Sequence, residues 1–238
     1  MLFHQYLGII SVGFSYNYIS GYLVLMLSLY CSYFVKLKDK IPHGRINAIV
    51  VFLLCVLLFG RSGIFLSLLL LLSVFVYNSN KTERMFFIIF SVSLLFFVFY
   101  FHEILFEFIL QTKFSEGLES PRHSMIKEYF SLLNVKTFLL GVNLFDMVTI
   151  EPYDYNPHNS FLLFHSNFGV FGLFLLYILL LLMFSQNNLW LIIFIFIYFL
   201  RGFFDVIILP GILDFILFSI ILMVNSNSNS NSNFAPER

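Results

Sequence analysis

Four side chains have the type and the setting for chemistry: Arg61, Arg122, Arg201 and His158. Arg61 lies in "GRSG" (60–63), between two apolar runs. An arginine at membrane depth is costly unless it is paired or hydrated. Ser62 and Gly63 bring no counter-charge, so an anionic ligand suits Arg61; a snorkelling residue at a helix end is the other reading. Arg122 falls in the first turn of an expected helix, where free backbone N–H groups also favour anions. An ordinary solvated charge is its alternative. Arg201 and Asp205 are spaced i, i+4, which a helical salt bridge explains. His158, in "PHNSFLLFHSNFGVFG" (157–172), titrates near neutrality and is the candidate for acid–base work. Asn159 beside it can orient a substrate or the ring. His165 follows seven residues later, on the same helical face and about 10 Å deeper, as a relay partner or, preferably, a packed histidine.

Other chemistries leave no trace. The chain has no HExxH, CxxC or GxSxG and no phosphate-cradling glycine loop. Carboxylates between 102 and 158 (Glu103, Glu107, Glu116, Glu119, Glu128, Asp146, Glu151, Asp154) are scattered without a metal-ligand cadence. Asp154 and His158 alone make a weak metal pair. Neither a metal nor a cofactor is expected. Cys31 and Cys55 both lie in apolar runs and read as small buried hydrophobes.

The elements that must hold these residues are apolar. Of the 238 residues, 60% are hydrophobic, 34 are Phe and only 11% are charged. Several runs approach or exceed the roughly 18–20 residues that cross a bilayer. Net charge is zero, which gives nucleic acid nothing to bind. The expected fold is an all-α polytopic membrane protein with about seven transmembrane helices and one large extracytoplasmic loop carrying amphipathic helices. An outer-membrane barrel is excluded, because its strands would alternate polar and apolar residues. Met1 is followed by "LFHQYLG", without a basic region or a cleavage site, so no cleavable signal peptide is expected.

Spans are expected near 16–35, 46–59, 64–77, 85–101 and 160–184, with two more in 189–224 around a turn near Pro210. The division is therefore membrane helices in 1–101, a loop at 102–158, membrane helices in 159–224, and a disordered low-complexity tail at 225–238. Lys36, Lys38, Lys40, Arg45, Lys81 and Arg84 mark two cytoplasmic loops, which puts Arg61 and the 102–158 segment outside. Within that segment Ser120 reads as an N-cap and Pro121 as the first helical residue. Met125, Ile126, Tyr129, Phe130 and Leu133 form an apolar stripe. This amphipathic helix suits the membrane surface, "HEILFEFIL" (102–110) reads as another, and the loop is expected to roof the bundle.

Three places carry a resemblance, in one order: "GRSGIFLSLLLLL" (60–72), "ESPRHSMIKEYFSLLNVKTFLLGVN" (119–143) and "HNSFLLFHSNFGVFG" (158–172). Together they resemble the bacterial O-antigen ligase and polymerase family of membrane glycosyltransferases, with a GT-C-like bundle. The resemblance implies a metal-independent, inverting transfer at the outer face of the bacterial cytoplasmic (inner) membrane. Its substrates are an undecaprenyl-diphosphate-linked glycan donor and a glycan acceptor, and a flippase and a chain-length regulator are its expected partners. By motif position, Arg61 and Arg122 would hold the diphosphate and His158 would activate the acceptor hydroxyl. Asn159, Arg201 and His165 would be supporting residues. Family members commonly have more spans than this chain. The leading expectation is a polymerase of O-antigen or capsular repeat units. Its alternatives are a ligase that transfers polysaccharide to lipid A–core, a truncated non-catalytic remnant of the family, and a membrane transporter.

Overall fold

The computed structural model describes residues 16–38, 40–58, 60–85, 89, 93, 96, 100–101 and 121–223. Regular structure among them is helical throughout, with no strand. In chain order the helices are α1 (Tyr16–Lys36), α2 (Gly44–Leu57), α3 (Arg61–Tyr77), α4 (Pro121–Ser131), α5 (Val135–Leu140), α6 (Ser160–Phe184), α7 (Leu189–Gly202) and α8 (Asp214–Leu222). Two 3-10 turns, Leu144–Asp146 and Glu151–Tyr153, lie between α5 and α6. The expected span at 85–101 lies mostly outside the described residues, as do Ser120, the 102–110 segment and the 225–238 tail.

Helix starts follow local chemistry. Asn159 and Asn188 cap α6 and α7: each side-chain oxygen accepts two backbone N–H groups from the first turn. Asn134 and Thr137 form a reciprocal capping box at α5. At the other end of the chain, α7 stops at Gly202 and α8 starts at Asp214. The connection carries the expected turn at Pro210. Asp214 secures it by accepting from the N–H groups of Leu209 and Gly211 (2.7 Å each) and from the Tyr198 hydroxyl (2.8 Å).

Helix α1 is central and packs against α2, α3, α7 and α8. The main core joins Val24 and Leu25 of α1, Leu66 and Leu70 of α3, and Phe194 and Ile195 of α7. Small residues set the close approaches. A Cβ at Gly60 or Gly63 would sit 2.7 or 2.6 Å from Ser20 Oγ, so α1 and the start of α3 touch almost backbone to backbone.

By length and composition, α1 and α6 are able to cross a membrane. Helices α2, α3 and α7 are apolar but have only 14, 17 and 14 residues. The outer face of α6 is apolar, with Phe168, Phe171, Phe174, Tyr177 and Leu181 all exposed.

The 121–158 segment builds its own small core. Met125 and Tyr129 of α4 pack with Val142, Met147, Ile150 and Leu162, the last on α6. The apolar stripe of α4 therefore faces this core, while Phe130 points outward. Glu128 fastens the segment from inside, accepting from Val148 N, Thr149 N (2.9 Å each) and the Thr149 hydroxyl.

Candidate functional site

His158 occupies an unusual backbone position. Its φ is +47°, and Asp154 and Tyr155 before it are also left-handed, at +52° and +57°. Such a conformation costs of order 1–3 kcal/mol in a non-glycine residue and survives only where its surroundings over-determine it. Here they do. Asn156 Oδ1 accepts the His158 N–H at 2.8 Å, Pro157 restricts the approach, and Asn159 is committed to capping α6. The Tyr153 ring stands edge-on to the imidazole, with centroids 5.5 Å apart. The side chain is left partly exposed.

His158 has a partner that sequence reasoning did not assign to it. Its Nδ1 lies 3.6 Å from Asp205 Oδ1, in the connection after α7. That is an ion-pair distance, longer than a hydrogen bond, and Nδ1 has no hydrogen-bond partner among the described residues. Catalytic contacts commonly tighten from such lengths when substrate is bound. Ser160 sets the alignment. Its hydroxyl donates to Asp205 O (2.7 Å) and accepts from Ile207 N and Ile208 N (3.1 and 3.2 Å). One buried serine thus bolts the 205–208 turn to the start of α6, two residues from His158.

Asp205 also meets Arg201, as the i, i+4 spacing anticipates: Oδ2 is 3.5 Å from Arg201 Nη2. The guanidinium is wholly buried, and Nη2 donates to Asn17 O at 2.9 Å, while Nε and Nη1 find no protein partner among the described residues. Gly21 makes the room. A Cβ there would lie 2.6 Å from Arg201 Nη2 and 2.5 Å from Ile207 Cδ1. Gly21→Ala is therefore expected to lower unfolding free energy by about 1–3 kcal/mol, the usual cost of overpacking. Thermal unfolding of the purified variant in detergent reads this directly.

The two remaining arginines lie within electrostatic reach of one another. Arg61 is exposed and opens α3, with Gly60 as its N-cap. Among the described residues no carboxylate forms an ion pair with it. Arg122 is the second residue of α4 and is partly buried. Burial pushes its guanidinium below the ordinary arginine value, Asp205 pushes it up, and Arg61 pushes it down again. Arg122 is thus within electrostatic reach of both. Arg201 meets the Asp205 carboxylate directly, Arg122 feels that carboxylate from α4, and Arg61 is within electrostatic reach of Arg122.

His165 is elsewhere. Its Nδ1 pairs with the Tyr129 hydroxyl (2.6 Å) and its Nε2 with Phe138 O (3.0 Å). The carbonyl takes Nε2–H as donor, so Nδ1 accepts from Tyr129. The ring connects α4, α5 and α6, and both of its nitrogens are used. Among the described residues no group of His, Cys, Asp and Glu could hold a metal ion. The arrangement can bind an anion and offer a nearby imidazole nitrogen to a proton. Compared with protein-family models, curated proteins and solved structures, the chain has no significant match.

Proposed function

We propose that the protein is a multi-pass glycosyltransferase of the bacterial inner membrane that polymerises undecaprenyl-diphosphate-linked repeat units at the outer face. In this reading the bundle has about seven spans, some completed by local thinning of the bilayer or by re-entrant ends, and 102–158 is the extracytoplasmic roof. The observation that supports it best is that Arg122 feels both Arg61 and Asp205, and that Asp205 pairs with His158. Arg61, Arg122 and His158 come from the three stretches that carry the family resemblance.

The chemistry follows from that geometry. Arginines suit a diphosphate, whose oxygens guanidinium groups bind through paired, charge-assisted hydrogen bonds. Asp205 faces Nδ1 of His158, which leaves Nε2 as the acceptor. An acceptor-sugar hydroxyl attacks the anomeric carbon of the donor, and its proton passes to Nε2. The bond from that carbon to the diphosphate oxygen breaks, its electron pair leaves with the diphosphate, and the arginines stabilise the charge that develops. A single displacement inverts the anomeric centre.

The test uses the whole protein in lipid nanodiscs with polyprenyl-diphosphate-linked repeat units. A ladder of lengthened products with release of polyprenyl diphosphate is expected. Transfer only to added lipid A–core would make the protein a ligase with the same chemistry. No transfer to either acceptor would overturn the reading. Arg122→Lys keeps the charge but loses the paired geometry. A lost charge-assisted hydrogen bond of about 1.5–3 kcal/mol lowers turnover about 10–100-fold.

A further inference from the structure

Helix α5, "VKTFLL", has no buried residue. Val135 is 79% exposed and Leu140 69%; Phe138 and Leu139 are exposed too. The following turn exposes Phe145 and Val148 as well, but beside an exposed Asn143–Asp146 pair that belongs at the headgroups. A six-residue helix is far below the roughly 12–15 residues at which isolated helices become even marginal in water. Its apolar side chains stay largely exposed, yet side chains tie down both of its ends. Asn134 and Thr137 cap its start, and His165 Nε2 donates to Phe138 O at its end. Just beyond, Ser166 Oγ donates to Val142 O at 2.8 Å. Tied-down ends with apolar side chains turned outward suit a lipid environment.

The depth agrees. Helix α6 breaks at Gly169, whose φ is +56° and ψ −141°. A Cβ there would lie 2.1 Å from Leu139 O, and one on Gly141 would lie 2.1 Å from Ser166 O. Helix α5 thus crosses α6 backbone on backbone at its break. Gly169 is nine residues from the start of α6, or about 14 Å along the axis. The 25 residues of α6 reach about 38 Å, against a hydrocarbon core of about 30 Å. The crossing therefore falls below the headgroups, level with the exposed Phe168, Val170 and Phe171 of α6. We infer that the apolar face of α5 is embedded in the acyl chains of the outer leaflet, continuous with the lipid-facing side of α6, and that His165, Ser166 and Gly169 form the bracket that holds it there. Lys136, the exposed cation of α5, snorkels to the headgroup phosphates.

This inference rests on α6 being a membrane span, and its test separates the two. Trp190 is the only tryptophan, so Trp190→Phe gives a dark background. Single tryptophans are then placed at Leu140 on α5, Phe174 on the outer face of α6, and Lys127 on the exposed side of α4, in vesicles containing brominated phosphatidylcholine. Emission from the Leu140 and Phe174 probes is expected to fall by more than half, and that from the Lys127 probe to change little. Quenching of Phe174 without Leu140 would overturn the embedding of α5 and leave the span intact. Quenching of neither would overturn the span, and the inference with it.

Discussion

Replacing His158 with asparagine is expected to slow polymer formation by about 100- to 10,000-fold, the range that one positioned general base supplies. Donor binding should change little, because the arginines that hold the diphosphate are untouched. Asparagine is the informative replacement. His158 sits at φ +47°, which asparagine tolerates far better than alanine. His158→Asn removes the imidazole while keeping the loop. His158→Ala removes it and also strains the turn, so its losses mix chemistry with folding. The rate of polyprenyl diphosphate release at saturating donor measures the chemical step, and titration with a non-transferable donor analogue measures binding. Activity within a few-fold of the unaltered protein would take His158 out of the proton transfer. Loss of donor affinity alone would make it a binding residue.

The elements around His158 were legible to different degrees. Proline at 121 and asparagine at 159 announce α4 and α6, because caps and first-turn residues act locally and leave a local signature. The same local chemistry explains a limit: Asn159 reads from sequence as a residue that can orient a substrate, whereas its side-chain oxygen is occupied by Phe161 N and Leu162 N. Asp205 shows a different limit. Its i, i+4 spacing from Arg201 already accounts for it, and nothing in the sequence separation of 47 residues points to His158. Gly169 and Gly172 read as a seam for helix packing. The structure does pack a helix at Gly169, but the partner is α5 and the contact depends on a left-handed break that no spacing rule supplies. The span expected at 46–59 matches α2 in length, whereas α7 stops at Gly202, well before the expected turn at Pro210, because apolar composition runs past the helix end.

Asp205→Ala should be the most damaging single change to stability, at about 3–5 kcal/mol, because it leaves the Arg201 guanidinium buried without its counter-charge. Arg201 is wholly inaccessible, and among the described residues its other hydrogen bond is to the Asn17 carbonyl. Burial alone would raise the Asp205 carboxyl, but His158 and Arg201 outweigh it and hold the group below the usual aspartate range. Its contribution is therefore complete above the unfolded value of about 4 and is lost as pH falls through the lower folded value. Acid should erase the difference between Asp205→Ala and the unaltered protein that is measured at neutral pH. The double replacement Arg201→Met with Asp205→Leu removes both charges, and a well-packed apolar pair in such a place is often neutral or stabilising. Thermal unfolding in detergent should then recover most of what Asp205→Ala loses. Turnover should not recover, because His158 still lacks the carboxylate that faces its Nδ1. Recovery of both would reduce Asp205 to an ion-pair partner of Arg201. Recovery of stability alone separates its two roles: the arginine needs the charge to be buried, and the histidine needs it to present the nitrogen that takes the proton.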